Sequence, residues 1–137
     1  MARVEVYPER VVIGLTGAER ALAMRRRDVV LSREAISSAL ITEDPWVWLR
    51  GVRSVGTHVP GRIAMGTWRG HAGTDFALLR ARRPAIVLDL ETAGSAEGGE
   101  YEFDDFERVI LSTTHATELI RALRLVEGDT GVITIEQ

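Results

Sequence analysis

Apolar and polar residues alternate in short runs along most of this chain, and this alternation restricts its fold more than any other feature. Clean examples are Arg3–Tyr7 and Val11–Leu15. A period of two places successive side chains on opposite faces of a strand, so each run predicts a half-buried strand. Further β-prone runs lie at 29–31, 35–41, 63–68, 75–79, 85–90, 108–112 and 132–135. The last of these is either a short strand or an ordered tail. The chain is therefore predicted to be mainly β, with about seven strands.

Two segments have helical character. Residues 17–25 are rich in helix formers and contain no β-branched residue, which predicts a short helix. Residues 114–127 predict a longer one, because apolar residues recur there at steps of three and four: Ala116, Leu119, Ile120, Leu123 and Val126. Thr113 or Thr114 can cap its start and Gly128 can end it. Strands followed by one amphipathic helix predict an α+β domain in which the helix covers the open end of a bent sheet.

The positions of the glycines and prolines between these segments make this prediction more specific. The segments that carry it are Leu15-Thr16-Gly17 with the helix after it, Gly56–Gly61, Met65–Trp68 and the strand 85–90. In this order, the stretch from Val11 to Leu125 resembles small bacterial proteins with the pleckstrin-homology-like barrel. The resemblance implies a bent antiparallel sheet or partly open barrel capped by the C-terminal helix, in one domain spanning 1–137. Its motifs are turns rather than catalytic signatures, so it implies no particular activity.

Composition restricts the class of protein further. A chain of 137 residues with 45% hydrophobic and 27% charged residues is an ordinary globular domain by size and composition. Cysteine is absent, which excludes disulfides, thiolate metal sites and a cysteine nucleophile. The net charge of −3 gives no reason to expect nucleic acid as a partner. No apolar run approaches the roughly 20 residues of a transmembrane helix.

The first residues also bear on where the protein works. Arg3 and Glu5 fall where a signal peptide would have its apolar stretch, so we expect a cytoplasmic protein. All 17 basic residues are arginine and asparagine is absent, which we interpret as the codon bias of a GC-rich bacterial genome.

Charge is unevenly distributed in the middle of the chain. Residues 46–84 carry seven arginines and one acid, a net +6, whereas residues 85–108 carry one arginine and eight acids, a net −7. The basic stretch could bind phosphate groups or an acidic partner. Alternatively, the two stretches face each other across strands or are solvated on separate faces. The pattern alone leaves these alternatives open.

The tryptophans offer a second candidate surface. Trp46 and Trp48 are two residues apart, so they share a face if they lie on a strand. Together with Trp68 they could form an aromatic binding surface, or they could be buried at the edge of the sheet. If they are exposed, a protein partner or self-association is the natural explanation.

No motif predicts catalysis, a metal or a cofactor. His58, His71 and His115 lie in separate segments without metal-ligand spacing, and no serine lies in a Gly-x-Ser-x-Gly turn. The glycines of residues 56–73 lack phosphate-loop spacing. The arginines of 25–27 are the nearest equivalent of the inositol-phosphate site that pleckstrin-homology domains carry, but the dipole at the end of the predicted helix accounts for them.

We therefore expect a non-enzymatic domain that acts through a protein partner or as a homo-oligomer, with no cofactor, no metal, no nucleic acid and no transmembrane segment. The surface predicted to bind comprises Trp46, Trp48, Arg50, Arg53, Arg62 and Arg69. The alternative is a binder of a small anionic ligand or lipid headgroup through the arginine-rich residues 50–83.

Overall fold

Ten strands and two α-helices make up the described part of the chain. The computed structural model describes residues 3–71, 73–91, 104–125 and 133–136. The strands are β1 (Arg3–Val6), β2 (Arg10–Gly14), β3 (Val29–Ser32), β4 (Ile36–Thr42), β5 (Val52–Val59), β6 (Ile63–Gly70), β7 (Gly73–Arg80), β8 (Ala85–Leu90), β9 (Arg108–Ser112) and β10 (Ile133–Glu136). The helices are α1 (Gly17–Ala23) and α2 (Ala116–Leu125), with short 3-10 helices at Arg33–Ala35 and Pro45–Trp48.

The strands form two sheets. The smaller has the order β10-β1-β2-β3 and the larger the order β4-β8-β9-β7-β6-β5. Neighbouring strands are antiparallel except β7 and β9, which run parallel. The predicted mainly β, α+β class is confirmed. The described strands do not close into a barrel, and they number ten rather than about seven, partly because residues 52–59, which the sequence left irregular, form a strand.

The two sheets pack against each other through alternate residues. In the smaller sheet, Val4, Val6, Val11 and Ile13 are at most 1% exposed, while the residues between them turn outward. The larger sheet contributes one face of its central strands: Met65, Phe76, Leu78, Ile86, Leu88, Val109 and Leu111. Burying each such aliphatic or aromatic side chain stabilises the fold by about 1.5–3 kcal/mol. The period-two pattern therefore marks the residues that join the sheets.

Helix α1 confirms the predicted short helix and has defined ends. The Thr16 hydroxyl accepts a hydrogen bond from the Glu19 amide, while the Glu19 carboxylate accepts one from the Thr16 amide. This reciprocal capping box satisfies two amides that have no partner within the helix. Met24 ends the helix in the left-handed conformation, at φ 56°. The Thr57 hydroxyl donates to the Leu22 carbonyl and fixes α1 against β5.

Helix α2 confirms the predicted C-terminal helix and contacts β1, β4 and β10. Leu119 and Ala122 enter the core between the sheets, and Ile120 and Leu123 pack against its margin. The Arg33 guanidinium donates a hydrogen bond to the Leu123 carbonyl, which ties the helix to the turn before β4. The helix therefore spans both sheets at one end. Neither α1 nor α2 has the length and apolar content that a bilayer-crossing helix requires.

Some sequence predictions fall outside the described residues. These are Val126 and Gly128, at the expected end of α2, and residue 132, at the start of the last β-prone run.

The link between β4 and β5 crosses a whole face of the larger sheet. These strands are its two edges, about 24 Å apart for six strands. The nine residues 43–51, called the strap below, can span about 30 Å when extended, so they must cross directly. They cross the outer face, the side of the larger sheet turned away from the smaller one. There Trp46, Trp48 and Leu49 pack against a second apolar cluster that includes Trp68, Val87 and Ile110.

Candidate functional site

The tryptophans of the strap pack against the larger sheet rather than lying fully exposed to solvent. Trp46 and Trp48 are half-buried within the 3-10 helix Pro45–Trp48, not on a strand. Trp46 stacks on His58 with ring centroids 6.4 Å apart, and His58 meets the edge of Trp68 at 5.6 Å. Small buried residues of the outer face, Ala64, Ala77 and Ala85, leave room for these rings. The aromatic residues therefore hold the strap on the sheet, and Val47, at 72%, is the most exposed apolar side chain of this turn.

Charged residues fix the strap as well. The Arg108 guanidinium lies 5.2 Å from the Trp48 ring centroid and donates to an Asp89 carboxylate oxygen at 2.7 Å. A cation over an indole face is attracted by the ring quadrupole, which adds to the packing of Trp48. The arginine and the aspartate both come from the stretch 85–108, so this acidic segment neutralises part of its own charge.

Arg50 is held by an ion pair within the protein. Its guanidinium donates two hydrogen bonds to Asp75, at 2.7 and 3.2 Å, and Asp75 is 3% exposed. The bond to Asp75, with attraction from Asp75, Asp89 and Glu107, raises the pKa of the Arg50 guanidinium above its usual value despite partial desolvation. Arg50 therefore neutralises a buried carboxylate and does not serve as an open anion contact.

The other three predicted arginines are exposed, but they do not meet. Arg53 lies on β5 opposite Trp68, and Arg69 lies opposite Val52 near the end of β6. Arg62 lies in the turn that precedes β6, so Arg62 and Arg69 are about 23 Å apart along the strand. None of the three makes an ion pair within the described part of the chain. The structure does not gather Arg50, Arg53, Arg62 and Arg69 around one anion.

An exposed edge at β5 is the feature that sequence reasoning missed. Val52, Val55 and Val59 are 75%, 43% and 47% exposed, and they belong to one strand that is paired on one side only. A register shift between Arg53 and Val55 marks a bulge at Ser54. The recurring valines of this segment could have indicated a strand, but the glycines at 51 and 56 interrupt the pattern.

Two facing glycines let β5 lie close to β6. Gly56 and Gly66 pair directly, with φ angles of 127° and 143° that side chains rarely adopt. A Cβ on Gly66 would lie 2.1 Å from the Val55 carbonyl oxygen, and one on Gly56 would lie 2.1 Å from that of Met65. These glycines are therefore strand residues required for close approach, in addition to the turn glycines expected in this region.

The histidines and the 25–27 arginine run have structural contacts. His58 lies between two tryptophans, and His115 Nδ1 is 3.2 Å from Glu118 Oε2. Among the described residues, no group of three or more potential ligands could hold a metal ion. Arg25 contacts Asp104 at 2.5 Å, and its guanidinium lies over the rings of Phe76 and Phe106. Arg25 therefore joins the end of α1 to the segment before β9.

A groove of about 540 Å³ with a mixed polar and apolar lining lies beside α2. The residues that line it are Pro8, Arg33, Glu34, Ile36, Ser37, Ser38, Ala39, Ile120 and Leu123.

Comparison with family models, curated proteins and solved structures gives no match to this chain. The candidate site must therefore be judged from its own geometry.

Proposed function

We propose that this protein is a non-enzymatic interaction domain that binds an extended, acidic segment of a partner protein along the free edge of β5. The observation that carries the proposal is the exposure of Val52, Val55 and Val59 along an eight-residue edge strand. An edge strand presents unpaired backbone amides and carbonyls, and an added strand can satisfy them. Exposed valines supply apolar contact area for the side chains of that strand.

The bulge determines where such a segment would pair. An extra residue at Ser54 interrupts the ladder, and bulges of this kind discourage indiscriminate edge pairing. The regular part of the edge runs from Val55 to Val59, which is long enough for about five paired residues. Thr57 in this stretch is anchored to α1, so the edge is held in place before a partner binds.

Charge determines which kind of segment would pair. Arg53 lies on β5, Arg62 follows it and Arg69 flanks it, and no acid within the described residues pairs with them. A symmetric dimer formed by β5 against β5 would bring these arginines together, and like charges opposite each other destabilise a strand pair. An acidic segment instead gains attraction at the same positions. The arginine-rich surface expected from the sequence therefore supports the choice of partner.

A designed peptide tests this proposal. We expect an acetylated peptide of alternating glutamate and valine to shift the backbone amide NMR signals of residues 55–59. A peptide with lysine in place of glutamate should leave them unchanged. Val55→Glu should weaken binding of the acidic peptide at least tenfold, because it places a negative charge beside those of the peptide and removes apolar contact. Val47→Glu, on the strap at a site 72% exposed, is the matched control and should bind normally.

Two outcomes would contradict the proposal. One is an absence of amide shifts on β5 at millimolar peptide, and the other is equal affinity of the acidic peptide for Val55→Glu and the unsubstituted protein. A dimer that forms through β5 in sedimentation experiments, and that Val55→Lys dissociates, would replace the acidic partner by a second copy.

We also propose that the fold is a divergent member of the pleckstrin-homology-like class. Two packed sheets with a C-terminal amphipathic helix across their end support this assignment. The parallel pairing of β7 with β9 is a departure from a purely antiparallel barrel. Superposition of an experimental structure on members of that class tests the assignment, and a core sheet of different strand order would reject it.

A further inference from the structure

A second basic surface lies away from the strap and is lined by two turns. An open cleft of about 570 Å³ is formed by the β5–β6 turn and the β7–β8 turn. Its described lining residues are Gly61, Arg62, Ile63, Arg80, Ala81 and Arg82. The Ala81 amide donates to the Arg62 carbonyl at 2.8 Å, so the two turns are fixed to each other. The two turns therefore give the cleft a defined shape at the end of the β6–β7 pair where Ile63 lies opposite Arg80.

The charge of this cleft has one sign. Three of its lining residues are arginines, and none of the described lining residues carries a carboxylate. Arg80 is held from behind by Glu19, whose carboxylate is almost fully buried and lies 3.4 Å from the guanidinium. Arg62 and Arg82 are exposed and make no ion pair within the described residues. The guanidinium groups of Arg62 and Arg82 are thus unpaired within the described residues, and they lie beside Arg80, which Glu19 holds in place.

The backbone at Arg82 supplies an independent observation. Arg82 has φ 59°, one of two left-handed non-glycine residues in the described chain. A side chain at such an angle is unfavourable, and glycine or asparagine is the usual occupant. Nothing in the turn requires a long side chain for packing, because Arg82 is exposed. A strained residue at a surface turn is best explained by what its side chain does.

We propose that this cleft binds a phosphate-bearing anion, either a free phosphate compound or a phosphomonoester headgroup at a membrane surface. Guanidinium groups bind phosphate oxygens through paired, charge-assisted hydrogen bonds, and a phosphomonoester offers three acceptor oxygens and a charge close to −2. That charge matches the two free arginines, Arg62 and Arg82. The site shares Arg62 with the acidic-segment surface on β5, but Arg82 belongs to the cleft alone, so substitution of Arg82 tests the phosphate proposal by itself.

Inorganic phosphate is the first probe, at constant ionic strength against chloride. We expect saturable binding by calorimetry, with amide shifts confined to residues 60–63 and 80–83. Arg82→Gly should weaken binding at least tenfold while the protein keeps its melting temperature or gains a few degrees, because glycine suits φ 59°. Arg62→Gln should weaken binding similarly.

A charge-matched control separates the cleft from general electrostatics. Arg26→Gln removes one exposed arginine elsewhere, as Arg82→Gly does in the cleft, and should leave phosphate affinity within twofold. Equal weakening in this control and in Arg82→Gly would overturn the proposal, as would failure to detect binding at 20 mM phosphate. Val55→Glu should bind phosphate normally, because Val55 is not among the described residues that line the cleft, so this result separates the phosphate proposal from the β5 proposal.

Vesicles then distinguish the two sources of the anion. Co-sedimentation with phosphatidylcholine vesicles containing phosphatidate, abolished by Arg82→Gly and by free phosphate, would identify a membrane headgroup. Phosphate binding without co-sedimentation would identify a soluble phosphate compound. Co-sedimentation that Arg82→Gly leaves unchanged would count against the cleft as the binding site.

Discussion

At the scale of single residues, Gly66 shows how much can depend on one missing side chain. Its φ of 143° and the 2.1 Å approach to the Val55 carbonyl oxygen leave no room for a Cβ. We expect Gly66→Ala to lower the free energy of unfolding by roughly 1–3 kcal/mol, since both the backbone angle and the strand spacing must change. Urea denaturation followed by tryptophan fluorescence measures this loss.

A second glycine provides the comparison for that experiment. Gly17 opens α1, and a Cβ there would meet no atom within 4 Å. Gly17→Ala should therefore be neutral or stabilise the protein by up to about 1 kcal/mol, through helix propensity and reduced freedom of the unfolded chain. If Gly66→Ala cost no more than Gly17→Ala, the close approach of β5 to β6 would be wrong.

Residue-scale prediction from the sequence succeeded where chemistry is local. The helix formers of residues 17–25 and the apolar stripe of α2 are local patterns, and the structure confirms both helices. The roles of Arg50 and Gly66 could not be predicted. Arg50 meets Asp75, 25 residues away, and Gly66 faces a glycine of another strand. Their partners depend on pairings that no short window of sequence encodes.

At the scale of elements, α1 depends on its first turn. We expect Thr16→Ala to reduce stability by about 1 kcal/mol, within a range of roughly 0.5–2, because the Glu19 amide loses its partner. Thermal unfolding followed by circular dichroism measures the change. Thr117→Ala, on the exposed side of α2, removes the same atoms without a cap and should cost nothing. Equal losses in the two variants would show that the Thr16 hydroxyl does not stabilise α1.

The bounds of strands and helices could be predicted where the pattern of apolar residues continued without interruption. β6, β7 and the apolar β8 lie where alternation or apolar content indicated strands. β5 was missed because Gly56 and the bulge interrupt its pattern. The shared face that Trp46 and Trp48 would have on a strand does not arise, because they lie in a 3-10 helix that begins at Pro45. Because proline is favourable at the first position of a helix, Pro45 was the residue that could have predicted this helix.

At the scale of the whole molecule, three of the eight strand pairings in the described chain join strands that are not consecutive. β1 pairs with β10, β4 with β8 and β7 with β9. Contacts at such separations require large loops to close first, which slows folding. We expect refolding in milliseconds to seconds, measured by stopped-flow tryptophan fluorescence after dilution from urea. Complete refolding within microseconds would contradict this topology.

Topology itself was the least predictable property of the chain. Alternation assigns residues to a face of a strand, but it does not determine which strand is the neighbour. The insertion of β9 between β7 and β8 creates the parallel pair and moves β4 and β5 to opposite edges. The strap exists only because of that arrangement, so the packing of Trp46 and Trp48 could not be deduced from their spacing.

The strap also limits the shape of any larger assembly. Residues 43–51 and their tryptophans pack on the outer face and the smaller sheet packs on the other, so the central strands of the larger sheet are covered on both faces within the described residues. A partner at β5 must extend the sheet sideways. Complexes of this protein should therefore grow in one plane, as elongated particles whose maximum dimension in solution scattering increases while their thickness stays constant.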